Sequence, residues 1–138
     1  MFLTFLVCLS VRQTAWATES ATLTFSDAGI TATGGQDGYS IDGTTLTITD
    51  AGVYRLTGSC GEGSVVVKGS VDGAVLIFDN LTLSSAFTAP VVVKKSSDVT
   101  IHLEGTSTLT DAEDASTDET NSDFEGAAIK VKSGSAVT

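Results

Sequence analysis

The stretch VVVK at residues 65–68 returns as VVVK at 91–94 and as IKVK at 129–132. The first two copies are 26 positions apart, whereas the second and third are 38 positions apart. The excess of about a dozen residues coincides with the acidic segment 111–125. Repetition at this period predicts a stacked β structure, one turn of which carries an acidic loop.

Short β-branched segments with mostly alternating polarity follow each other from residue 44 onward, and turn residues separate them. The predicted strands are Thr44–Thr49, Val53–Gly58, Ser64–Lys68, Ala74–Phe78, Leu81–Ser84, Val91–Lys94, Val99–Leu103, Ser107–Leu109 and Ala127–Lys132. Short strands that follow each other at this spacing are typical of a β-sandwich or a solenoid.

The register of the repeats decides between these two folds. In a parallel β-helix each residue lies about 4.8 Å beneath the residue one turn later, so both must suit the same column. The predicted inward columns are apolar: Ala74/Val99/Val137, Leu76/Ile101 and Phe78/Leu103. The predicted outward columns are Val75/Thr100/Thr138 and Ile77/His102. We therefore predict a right-handed parallel β-helix, with a β-sandwich as the alternative.

The chain has 138 residues and opens with the apolar run Phe2–Val11, followed by Ala15-Trp16-Ala17. This small-x-small pattern predicts a signal peptide over residues 1–17, and the run is too short to span a bilayer. No basic residue precedes the run, which leaves a buried N-terminal strand or helix as the alternative. We expect a lead-in or cap segment at 18–43, coils over 44–138, and a secreted or cell-surface protein.

The formal net charge is −10, and it becomes −11 when Arg12 is removed with the signal. A chain this acidic is repelled by nucleic acid and by anionic membranes, so we expect neither as a partner. Cys60 is the single cysteine of the mature chain, and we expect a small buried apolar residue rather than a reactive thiol.

Four strings carry a resemblance to a known family: ITDAGVYRLTG (48–58), VLIFDNLTLSS (75–85), DVTIHLEGTSTLTD (98–111) and EGAAIKVKSG (125–134). They resemble the bacterial carbohydrate-binding β-helix family of cellulolytic species. The resemblance implies a secreted right-handed parallel β-helix, similar in fold to one class of pectate lyases. It also implies binding of calcium and of plant cell-wall polysaccharides such as cellulose and polygalacturonate. Because the chain stops at Thr138 within a strand column, we expect an N-terminal fragment whose solenoid is incomplete at its C-terminus.

The acidic loop 111–125 holds seven carboxylates and no basic residue. Calcium takes six to eight oxygen ligands, which a flexible acidic loop can supply. The predicted metal ligands are Asp111, Asp123 and Glu125, where the loop leaves and rejoins the coil, together with Asp114 and Asp118. The spacing matches no EF-hand, so a solvated acidic excursion is the alternative.

Lys68, Lys94 and Lys132 occupy equivalent positions of the three repeats. A ladder of ammonium groups at strand spacing can follow the carboxylates of an extended polyuronate. A solubilising row of surface lysines is the alternative. Phe87 and Phe124 lie in a turn and in the loop, where they are weak candidates for contact with a glycan.

These features predict a secreted module that binds a polysaccharide, cellulose-like or pectate-like, with calcium. A structural or adhesive surface solenoid without a glycan site is the second function class. A calcium-dependent polysaccharide lyase is the third, because lysine is the usual base in such enzymes. No residue is visibly placed for that work, so we assign no catalytic residue and predict that the chain is not an enzyme.

Overall fold

A computed structural model describes residues 19–112 and 126–138, which form twelve strands and no helix. Sheet A comprises seven strands: β1 Ala21–Ser26, β2 Gly29–Gly34, β5 Val53–Cys60, β7 Asp72–Ser85, β9 Asp98–Glu104, β10 Thr108–Asp111 and β12 Ala136–Val137. Sheet B comprises five strands: β3 Tyr39–Asp42, β4 Thr45–Ile48, β6 Ser64–Val67, β8 Val91–Val93 and β11 Ile129–Val131.

From β4 onward the chain passes back and forth between the two sheets, and the strand pairs along this path are parallel. Antiparallel pairing joins β1 to β2 and β3 to β4. The predicted register of the repeats is confirmed, because Val65 pairs with Val91, which pairs with Ile129. Segment 18–43 contains three of the strands, and β1 pairs in parallel with β5.

Both sheets contribute to one hydrophobic cluster. Leu46, Val65 and Val91 of sheet B and Leu56 and Leu76 of sheet A are fully buried in it. The prediction of an all-β fold is confirmed. Two sheets on a shared core are common to a β-sandwich and to a β-helix.

Two side chains lie differently from their predicted positions. Leu103, assigned to an inward column, is 64% exposed, because the neighbouring strand β12 pairs only with Asp98 and Val99 at the start of β9. Ile77, assigned to the outer surface, is only 4% exposed. Ile77 does not belong to the interior cluster, so the side chains that bury it lie on the outer side of the sheet.

Strand β7 is one continuous strand where the sequence predicted two. It bends at Asn80, whose φ of +50° lies in the left-handed region that asparagine tolerates. The first part of β7 pairs with β9 and the second part pairs with β10. The bend therefore turns sheet A at Asn80, and Gly105, with φ of +71°, occupies the same bend one turn later.

Serine side chains tie together the corners between sheet B and sheet A. The Ser97 hydroxyl donates to the Lys68 carbonyl at 2.9 Å and accepts from the Val71 amide at 3.2 Å. One turn later Ser135 repeats both bonds, to the Lys94 carbonyl and from the Ser97 amide. These bonds satisfy backbone groups at the corners and hold successive turns in register.

The remaining sequence expectations for the core agree with the structure. Tyr54 and Phe78 are both 1% exposed, as expected of inward positions, and Cys60 is a buried free cysteine. No helix within 19–112 or 126–138 is long and apolar enough to cross a membrane.

Candidate functional site

A small groove crosses the outer face of sheet B. Its floor is made by Val66 and Val92, and its rim carries the three lysines Lys94, Lys130 and Lys132. The groove has a volume of about 80 Å³. A pocket of this size suits one carboxylate or hydroxyl group of a ligand rather than an entire sugar ring. We call it the lysine groove.

The register of sheet B creates the lysine groove. Val66 pairs with Val92, and Val92 pairs with Lys130, so one outward column runs across three strands. Lys94 and Lys132 follow the last residues of their strands, where their amides donate to the carbonyls of Val67 and Val93. These bonds place both lysines at the same corner of successive turns.

The structure brings together two of the three lysines that the repeats predicted. Lys94 and Lys132 line the groove, whereas Lys68 is exposed on the preceding turn and does not line it. The sequence reasoning missed Lys130, which lines the groove and is only 5% exposed. Its outward position between Ile129 and Val131, in register with two valines, is the signal that identifies it. A lysine can bury its aliphatic stem on such an apolar surface.

Phe87 is 76% exposed in the loop between β7 and β8, beside Thr88, which also lines the groove. Glu62 anchors the start of this loop, because its carboxylate accepts hydrogen bonds from the Ser85 hydroxyl at 2.9 Å and from the Ala86 amide at 3.0 Å. The exposed phenyl ring therefore projects from a fixed turn close to the groove. Phe124 lies outside the described residues.

The predicted metal ligands fall largely outside the described residues. Asp111 ends β10, beside Ser85 on β7. Asp114, Asp118, Asp123 and Glu125 belong to the segment 113–125, which the structure does not describe. Within 19–112 and 126–138, no three His, Cys, Asp or Glu side chains are grouped closely enough to hold a metal ion.

A charged network covers the outer face of sheet A. The Arg55 guanidinium donates to Glu19 at 2.7 Å, to Asp79 at 3.0 Å and to Glu104 at 2.8 Å. Its hydrogen bonds to Glu104 and Glu19 raise the pKa of Arg55 further above its ordinary value. The same guanidinium lowers the pKa of the Glu104 carboxyl. The network thus pairs one arginine with three carboxylates, and the sequence did not predict these ion pairs.

Arg55 is committed to this network and is not free to bind a ligand. It lies on β5, and its side chain must cross β7 to reach Glu104 on β9. Ile77 lies on β7 in register with Arg55, so the crossing side chain accounts for its burial. The outer face of sheet A is therefore held by ion pairs, whereas the lysine groove on sheet B places three lysines beside two valines.

Two mixed sheets on a shared core make the described part of the chain an all-β domain. A family model described as carbohydrate-binding domain-containing protein matches residues 42–135, and the chain belongs to that family. The match supports a carbohydrate-binding role and favours a binding module over an enzyme. No curated protein and no solved structure matches the chain.

Proposed function

We propose that this protein is a secreted carbohydrate-binding module that holds an acidic plant cell-wall polysaccharide along the outer face of a right-handed parallel β-helix, with calcium as a second ligand. The lysine groove is the observation that carries the proposal. Lys94, Lys130 and Lys132 concentrate positive charge on a chain whose net charge is −10. Such a local patch on an acidic protein selects for an anionic group at that place.

The β-helix part of the proposal is supported by the strand pairing. Equivalent residues of successive repeats pair in parallel in both sheets, as Val67 with Val93 and Leu76 with Ile101. The serine bonds at the corners repeat from turn to turn as well. A sandwich built from antiparallel hairpins has no reason for either regularity.

The chemistry of the groove suits a uronate. Ammonium groups donate charge-assisted hydrogen bonds to a carboxylate, and these are roughly twice as strong as neutral ones. The groove takes the carboxylate, and the sugar ring stays outside it, where the exposed Phe87 offers an apolar surface. Because the lysines recur at each turn, an extended chain of uronates can meet more than one of them.

Calcium binding is proposed for the acidic segment and not for the groove. Seven carboxylates within residues 111–125 repel one another until a divalent cation neutralises them. The expected result is a melting temperature that rises with calcium, and rises less with magnesium, which demands stricter octahedral geometry. Asp123→Asn combined with Glu125→Gln should remove most of this response. A calorimetric titration without calcium uptake at millimolar concentrations would exclude the metal from the proposal.

Secretion is proposed from the N-terminal segment, where Phe2–Val11 precedes Ala15-Trp16-Ala17. Expression of the chain in a bacterial host, followed by mass determination of the extracellular protein, tests this step. Cleavage after Ala17 is the expected result, and a retained N-terminus contradicts it.

The test of glycan binding is retention on immobilised polygalacturonate. Lys94→Gln combined with Lys132→Gln should lower the affinity at least about tenfold, because two charge-assisted contacts are lost. Lys95→Gln is the matched control, since Lys95 is an exposed lysine next to Lys94 that does not line the groove. Equal retention of both variants would contradict the groove as the site. No retention of the wild-type chain on any glycan would favour a structural or adhesive solenoid.

A further inference from the structure

An open cleft lies at the N-terminal end of the fold, away from the lysine groove. It is lined by Ser20 before β1, by Asp37 and Gly38 before β3, and by Asp50 and Tyr54 at the corner between β4 and β5. Its volume is about 370 Å³, within the range of about 300–1,000 Å³ found for small-molecule sites. We call it the cap cleft.

The walls of the cap cleft are joined by hydrogen bonds from the buried Tyr54. The Tyr54 hydroxyl lies 2.9 Å from the Asp50 carbonyl and 3.1 Å from the Gly38 carbonyl, so it joins two of the lining segments. Burial, and then the charge of Asp50, raise the pKa of Tyr54, which keeps this hydroxyl protonated as a donor. A Cβ at Gly38 would overlap the Tyr54 hydroxyl, so only glycine permits this approach.

Aromatic packing supports the same wall from behind. The rings of Tyr39 and Tyr54 meet edge to face, with centroids 6.1 Å apart. The Tyr39 hydroxyl donates to the Gly35 carbonyl at 2.8 Å, and the Gly35 amide donates to the Ser20 carbonyl at 2.7 Å. Every lining segment is therefore fixed by at least one hydrogen bond, and the cleft is preformed rather than assembled by a ligand.

The polar groups that line the cap cleft are rich in acceptors. Asp37 and Asp50 are both exposed there, and neither a lysine, an arginine nor a histidine is among its lining residues. Asp50 accepts one hydrogen bond, from the Thr49 hydroxyl at 3.0 Å. The side chain of Asp37 makes no hydrogen bond to any residue within 19–112 and 126–138, which leaves its carboxylate oxygens available to a ligand.

A ligand for this cleft must supply hydrogen-bond donors without negative charge. Neutral sugars do so through adjacent hydroxyl groups, and an ionised carboxylate can accept from two of them at once. A uronate is disfavoured by repulsion from Asp37 and Asp50. Within residues 19–112 and 126–138, no third His, Cys, Asp or Glu joins these two carboxylates to hold a metal ion.

We propose that the cap cleft binds a neutral sugar residue, whose adjacent hydroxyls donate to Asp37 and Asp50. The choice of a sugar rests on the proposed carbohydrate-binding function. The site itself is new, because it lies largely before the matched range 42–135 and is opposite in charge to the lysine groove. The protein would then hold two different parts of a mixed polysaccharide, one neutral and one acidic.

The experiment titrates the whole chain with cellotriose and, separately, with trigalacturonate, following backbone amide shifts by NMR in the presence of a chelator. Cellotriose is expected to shift the amides of Gly38 and Tyr54. Asp37→Ala should weaken cellotriose binding at least tenfold and leave trigalacturonate binding unchanged. Asp42→Ala is the matched control, because Asp42 is an exposed carboxylate on β3 that does not line the cleft.

The outcomes separate this proposal from the proposed function. Cellotriose binding that Asp37→Ala leaves intact, or trigalacturonate binding without any cellotriose binding, overturns the cap cleft alone. Cellotriose binding in the cleft without trigalacturonate binding supports the cap cleft and overturns the lysine groove. In a separate titration with calcium, without chelator or sugar, shifts at Asp37 would identify a cation site instead and overturn the proposal. Binding of neither sugar overturns both.

Discussion

Arg55 and Glu104 are 49 positions apart in the chain and lie on strands that are not neighbours, yet their side chains meet at 2.8 Å. Asp79, on the strand between them, meets the same guanidinium nitrogen at 3.0 Å. One arginine therefore spans three consecutive strands of sheet A. The contact depends on parallel register, which places the acidic residues of β7 and β9 side by side at Asp79 and Glu104.

The Arg55 network predicts a loss of stability in acid. The pKa of Glu104 is lowered in the folded protein, so its contribution is fully present above the ordinary glutamate pKa of about 4.3. It is lost as the pH falls through the lowered value, because the unfolded chain then binds the proton more readily. Melting temperatures measured from pH 7 down to pH 3 should fall less steeply in Glu104→Gln than in the wild type. Parallel curves would contradict the network, and Asp42→Asn serves as the charge control.

Core substitutions should follow the burial of each column. Leu76→Asp places an uncompensated charge in the fully buried interior and should unfold the chain. Ile101→Asp, at a partly buried position, should destabilise less, and the outward Thr100→Asp should be tolerated. The melting temperatures of the three variants provide the measurement, and equal tolerance would contradict the inward and outward assignment.

The bend at Asn80 predicts that alanine and glycine substitutions there differ in their effect on stability. Asn80→Ala puts alanine, which tolerates the left-handed region less well than asparagine, at φ near +50° and removes the acceptor of the Thr106 amide, so we expect a loss of roughly 1–3 kcal/mol in the free energy of unfolding. Asn80→Gly loses the hydrogen bond alone and should cost less. Chemical denaturation of both variants measures the difference. A larger loss for glycine than for alanine would contradict backbone conformation as the reason for asparagine.

The corner serines offer a matched pair. Ser97→Ala removes a buried hydroxyl that both donates and accepts, so we expect a loss of about 1–3 kcal/mol. Ser135→Ala removes the same two bonds one turn later, where the side chain is more exposed, and should cost less because water replaces the hydroxyl. Equal losses would show that burial does not set the strength of these bonds.

The sequence by itself determined the strand-rich class and the register of the repeats. The positions of Val65, Val91 and Ile129 were predictable because a column of a stacked β structure accepts only one kind of side chain, which leaves a periodic trace in the sequence. Burial of Tyr54 and Phe78 followed from the same alternation. Lys94 and Lys132 were predictable as neighbours for this reason as well.

Only the tertiary structure decided which residues share a binding surface. The cap cleft joins segments near Ser20, Asp37 and Asp50, and no repeat or motif links these positions in the sequence. Lys130 joins the lysine groove because its strand lies beside Val92, and Ile77 is buried because Arg55 crosses over it. Contacts between side chains on different strands depend on the folded arrangement of the whole chain, whereas a column depends only on the repeat period.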